Sequence, residues 1–142
     1  MRLPDWEERL SDYIRDNTDR AFEYGLHDCI LFSCGAVEAV TGEDPAAADR
    51  GTYSDVDGAK ETLKAWPGKT LLKAVDSVFK RKPVGLAQRG DLVWFKGSVG
   101  VCYGGIAMFV GEERLANAAG VLMREGLISI PRAQWEKAWS VG

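Results

Sequence analysis

One stretch, FEYGLHDCILFSCGAVEAVTG from Phe22 to Gly42, constrains the fold of this chain more than any other. Asp28 is a favoured helix N-cap, because its carboxylate can accept a hydrogen bond from the free N–H groups of a first turn. Gly42 is a favoured helix end, since glycine adopts left-handed backbone angles at little cost. Apolar residues fill most positions between these two signals. The stretch therefore predicts a buried helix over about residues 28–41.

Cys29 directly follows the predicted cap, at the first position of this helix. The positive end of the helix dipole favours a thiolate there. Two interpretations stay open at this point: a cysteine nucleophile, or a partly buried thiol with no chemical role. Cys34 and Cys102 are predicted to be core residues, and an odd total of three cysteines does not indicate a disulfide framework.

Composition excludes several classes of protein. The 142 residues predict one domain, 1–142, and the net charge of -3 opposes a nucleic-acid role. No apolar run approaches the ~20 residues of a membrane span, and MRLPDWEERL lacks the apolar segment of a secretory signal. We therefore expect the protein in the cytoplasm of the producing cell, or leaving it within an assembly or by lysis. A single histidine and no CxxC pair predict no metal site, and no cofactor is expected.

The spacing of apolar residues predicts helices first and strands later. Helices are expected over 5–16, 28–41, 58–66 and from Thr70 to about 79. Strands are expected at 92–95, 101–110, 114–118, 121–124 and 127–130, with turns at 97–100 and 111–113. A last helix is expected to start at Pro131 and to carry Trp135 and Trp139. This order predicts an α+β fold, with the cysteine-bearing helix packed on an antiparallel sheet.

The long connection after the central helix, residues 43–56, holds Arg50 and Tyr53. Connections of this length are often functional. One interpretation has these two side chains contacting a ligand or partner. The other is a solvated loop with Tyr53 turned back onto the core.

Several segments together resemble the NlpC-like cysteine peptidases, which are papain-like domains that hydrolyse bacterial cell-wall peptides. Phe22-Glu23-Tyr24-Gly25 before Asp28-Cys29 is similar to the turn and Asp-Cys pair that open the family's catalytic helix. The run 89–95, RGDLVWF, is similar to the family's Gly-Asp-Leu-Val strand. The run 105–111, GIAMFVG, is similar to the following strand, which in the family opens with the catalytic histidine. Asn117-Ala118 lies where the family carries the polar residue that orients this histidine.

The departures from that family concern the chemistry. Gly105 occupies the expected histidine position, and no histidine follows Cys29. Phe22 stands where the family commonly has a tyrosine that contributes to the oxyanion site. Cysteine hydrolases need a base to activate the thiol and to protonate the leaving group. His27, two residues before Cys29, is the only imidazole that could replace it, although a turn histidine with a backbone hydrogen bond is the more ordinary role.

The resemblance is greatest to a phage- and prophage-associated subgroup found among tail genes, because TG-x-DP and RG-x-Y follow the helix. It implies a papain-like α+β fold and a tail-associated protein whose cleft serves binding or assembly, with phage tail proteins as partners. The alternative is an active cysteine peptidase or amidase on cell-wall peptide, with Cys29, His27 and Asn117 as its catalytic residues. A third interpretation is a plain cytosolic protein whose likeness is only architectural.

Overall fold

Among the residues that it describes, a computed structural model of the protein has four α-helices followed by six strands. It describes the backbone of residues 1–117 and 120–142, and the side chains of 1–112 and 124–142. The helices are α1 (Trp6–Asn17), α2 (Cys29–Thr41), α3 (Val56–Lys64) and α4 (Leu71–Val78). The strands are β1 (Arg81–Lys82), β2 (Leu92–Phe95), β3 (Ser98–Cys102), β4 (Ile106–Asn117), β5 (Gly120–Pro131) and β6 (Lys137–Trp139).

The strands form one antiparallel sheet in the order β1-β6-β2-β3-β4-β5. The predicted α+β class is confirmed: helices precede the sheet and the cysteine-bearing helix packs on it. Within the described residues, no helix is both long and apolar enough to cross a membrane.

Both faces of the central strands are covered, because successive side chains of a strand point to opposite sides. Leu92 and Trp94 of β2 join the main core with Phe32 of α2. Val93, between them, joins a smaller core on the other face with Trp135. Cys29 is partly buried against the main core. The packing of α2 on the sheet therefore determines which residues lie opposite Cys29.

A buried carboxylate holds the two ends of the chain against the sheet. Asp91 is 1% exposed, and its Oδ1 accepts hydrogen bonds from Arg2 Nη2 and the Val141 N–H, each at 3.0 Å. Its Oδ2 lies 2.6 Å from Lys82 Nζ and accepts the Gln88 N–H at 2.8 Å. Such a buried charge is tolerated because four donors satisfy it.

The predicted C-terminal helix is wrong. A short 3-10 turn, Arg132–Gln134, leads instead into β6, which pairs with β1 and β2. Trp135 and Trp139 have helical spacing, but they lie in the cores on opposite faces of the sheet. Tertiary packing rather than helical periodicity explains their spacing.

The predicted strand boundaries after residue 96 also change. The turn at 97–100 is wrong, because Lys96 and Gly97, with φ of 45° and 79°, form a two-residue hairpin turn that pairs Phe95 with Ser98. The predicted strand 101–110 is divided between β3 and β4. The predicted turn at 111–113 is wrong, because β4 continues through it and Gly111 pairs with Gly126. Ala118, in the strand predicted at 114–118, lies outside the described residues.

Candidate functional site

The first turn of α2 is fixed by Asp28, as the sequence predicts. Its Oδ1 accepts the Leu31 N–H at 3.0 Å, and its Oδ2 accepts the Gly25 N–H at 3.2 Å and the Tyr53 hydroxyl. Asp28 is 5% exposed, so these three donors take the place of water. Gly42 ends the helix with φ of 85°, which confirms the other end signal. Cys29 is therefore held rigidly at the first helical position.

The sulfur of Cys29 faces the beginning of β3. The Ser98 hydroxyl and the Val99 N–H lie near it, and both favour its thiolate. Burial outweighs them and raises the pKa of the Cys29 thiol above its ordinary value. A raised pKa leaves the protonated thiol, a poor nucleophile, as the dominant form near neutral pH.

His27 lies on the other side of the α2 terminus. It contributes to a polar depression with Tyr13 and Arg20, whereas Cys29 lines a separate, apolar cavity. The imidazole is 1% exposed, and its ring meets the Phe32 ring edge-on at 5.7 Å between centroids. Burial, reinforced by Arg20, lowers the pKa of His27 to about 4. The structure does not bring His27 and Cys29 together as a thiol–imidazole pair.

The other residues that the resemblance suggested lie outside α2. Gly105 is exposed, and a side chain added there would meet open space. Asn117 ends β4, eleven residues after Ile106, a separation of roughly 36 Å along an extended strand. Its side chain lies outside the described residues. Phe22 is 39% exposed and contacts Tyr24 edge-on, at 4.7 Å between ring centroids.

Ser98 is the residue beside Cys29 that sequence reasoning missed. The signal that could have found it is the dipeptide Lys96-Gly97, because a glycine-containing pair between two apolar runs predicts a two-residue hairpin. That hairpin makes Ser98 the first residue of the strand following Leu92–Phe95.

The long connection after α2 turns back onto the helix. Tyr53 donates to Asp28, and burial raises the pKa of its hydroxyl. Arg50 Nε lies 2.5 Å from Asp44 Oδ2, and its Nη2 donates to the Leu31 carbonyl at 2.8 Å. Both residues therefore have structural partners, and Tyr53 also contributes to the wall of the cavity.

An apolar cavity of about 310 Å³ opens beside Cys29. Its walls come from the first turns of α2, from α3 and α4, and from the connection before α3. Aromatic and aliphatic side chains form most of the lining, including Phe22, Tyr24, Leu63, Trp66, Val75 and Phe79. A cavity of this size is at the lower end of the range for small-molecule sites, about 300–1,000 Å³.

Comparison with known proteins gives one family. A family model described as a domain of unknown function, DUF6950, matches residues 1–141. The chain belongs to the DUF6950 family. No curated protein and no solved structure matches this DUF6950 domain.

The described part of this DUF6950 domain contains no group of three or more His, Cys, Asp or Glu side chains placed to hold a metal ion. Its most distinctive local chemistry is the thiol of Cys29 between a hydroxyl and an apolar cavity. That arrangement can bind apolar groups, and it offers the thiol hydrogen-bond donors rather than a base.

Proposed function

We propose that this domain is a non-catalytic relative of the NlpC-like cysteine hydrolases, associated with phage or prophage tails, whose cleft serves binding or assembly. The observation that carries the proposal is the environment of Cys29. Its sulfur is next to the Ser98 hydroxyl, and a hydroxyl cannot accept the thiol proton near neutral pH.

The resemblance gives this observation its meaning. In NlpC-like enzymes the strand that follows the Gly-Asp-Leu-Val strand opens with the catalytic histidine. Here the strand that follows β2 is β3, and it opens with Ser98. We infer that Ser98, rather than Gly105, stands at the histidine position. The cysteine of such an enzyme is then retained while its base is replaced by a serine.

The alternative function, an active peptidase or amidase, draws support from the position of Cys29 at a capped helix N-terminus with a backbone N–H beside it. It requires another base. His27 is the only histidine of the chain, and it is buried on the other side of α2. The non-catalytic proposal therefore accounts for more of the site.

The experiment restores the missing base. Ser98→His should put an imidazole beside Cys29 and lower its pKa into the range of paired cysteines, about 3.5–7.5. The rate of iodoacetamide alkylation near neutral pH should then rise. Gly105→His is the matched control, since that position is open and follows the end of β3 opposite Ser98, and it should leave the rate unchanged.

Two results would contradict the proposal. One is cleavage of cell-wall fragments by the wild-type protein that is lost in Cys29→Ala. The other is activation of Cys29 by Gly105→His and not by Ser98→His. Tail association is tested separately: the protein should co-purify with phage particles, and normal infectious particles in its absence would remove that part of the proposal.

A further inference from the structure

The apolar cavity beside Cys29 has a composition that selects one class of ligand. Its walls are built almost entirely from carbon atoms, and its polar groups are largely engaged. Asp28 is satisfied by three donors, one of them the Tyr53 hydroxyl, and Asp49 accepts the Trp66 indole N–H at 3.1 Å. A ligand body that fits this lining therefore needs no hydrogen bonds.

The mouth of the cavity is apolar as well. Phe22, Val56 and Val78, exposed by 39%, 46% and 44%, all contribute to its lining. Every residue of α3 stays at least partly exposed, so this helix covers the cavity without being locked into the core. An elongated apolar chain can thus contact apolar side chains from the solvent-exposed mouth to the interior of the cavity.

One cationic side chain, that of Lys60, lies in the lining of the cavity. Lys60 of α3 contributes to the cavity wall, and in the described part of the chain no carboxylate lies within ion-pair distance of its ammonium group. By contrast Lys64, one turn further along α3, is 2.7 Å from Glu61 Oε1. Lys60 is therefore available for an acidic group at the end of an apolar ligand.

From these features we infer that the cavity binds a single-chain aliphatic carboxylate, with the chain between α3 and α4 and the carboxylate at Lys60. The inference rests on the proposed function, because it gives the ligand class for a cleft that binds instead of hydrolysing. The small volume limits the ligand to one chain of medium length.

Calorimetric titration of the full chain with octanoate, decanoate and dodecanoate, below their micelle concentrations, tests the inference. Each buried methylene should tighten binding about fourfold until the cavity is full. Ala59→Phe, which fills the cavity from α3, should abolish binding, whereas Ala47→Phe, an exposed position outside the lining, should preserve it. Lys60→Glu should weaken binding at least tenfold, and Lys64→Glu should change it little.

Three results would overturn the inference. Failure of all three carboxylates to bind removes the ligand class. Undiminished binding by Ala59→Phe removes the cavity as the site. Equally tight binding of dodecyltrimethylammonium removes the role of Lys60. None of these three results would change the outcome expected of the alkylation and phage-particle experiments, so the ligand inference and the proposed function can fail separately.

Discussion

The buried imidazole of His27 predicts how the stability of the domain depends on pH. Its Nε2 is buried without a hydrogen-bond partner among the described residues, and burial together with Arg20 and Arg50 lowers its pKa to about 4 from 6.5. The unfolded chain then binds a proton more readily than the folded chain. Stability is therefore complete above about pH 6.5 and falls as the pH drops towards 4.

The size of this effect follows from the shift. Proton linkage gives a loss of about 2 kcal/mol in the free energy of unfolding between about pH 7.5 and about pH 5. The total loss reaches about 3 kcal/mol once the pH is well below the folded-state pKa of about 4. His27 is the only histidine in the chain, so no other imidazole titrates in this window. The pKa of Asp76 is lowered to about 2, so this carboxyl group affects the stability only at more acidic pH.

Urea denaturation followed by tryptophan fluorescence at several pH values measures the effect. The wild type should lose stability on acidification, and His27→Leu, which also removes the unpartnered nitrogen, should be almost independent of pH over the same range. Equal wild-type stability at the two pH values would falsify the reasoning. An unchanged slope in His27→Leu would assign the pH dependence to another group.

Two further predictions concern structural positions, each measured by urea denaturation. Asp91→Asn should lower the free energy of unfolding by about 3–5 kcal/mol, because it leaves two partly buried cations unpaired. Glu61→Gln, which breaks an exposed ion pair, should lower it by less than about 1 kcal/mol. Equal losses in the two variants would contradict the structural role of the buried carboxylate. Gly25→Ala should lower the free energy of unfolding by about 2 kcal/mol or more, because φ is 82° there and the new methyl group would meet the Tyr53 carbonyl. Gly85→Ala places its methyl group in open space and should leave the stability nearly unchanged. A stable Gly25→Ala protein would show that the contact between the turn and residue 53 is adjustable.

Local signals predicted α2 well, because its cap Asp28 and its end Gly42 act within one turn of the chain. The strands after residue 96 were predicted less well. Gly111 suggests a turn in isolation, yet it pairs with Gly126 across a long hairpin. Such pairing depends on residues far apart in sequence, which a local pattern does not contain.

The site was predicted in part for the same reason. Cys29 was placed at the start of α2 by local signals, but its neighbour Ser98 comes from β3, and that contact depends on how the helix packs on the sheet. His27 is two residues from Cys29 in sequence, but it lines the polar depression whereas Cys29 lines the apolar cavity. The two-residue turn before Ser98 carries the sequence information that points to Ser98 as a neighbour.

The position of β6 has a consequence for biosynthesis. This strand follows all the others in the chain but lies between β1 and β2 in the sheet. A nascent chain emerging from the ribosome can pair α1 with α2 early, while both edges that flank β6 wait for residues 137–139. During that interval the unpaired edges are open to other chains, so a pause in translation before residues 137–139 have emerged should favour aggregation.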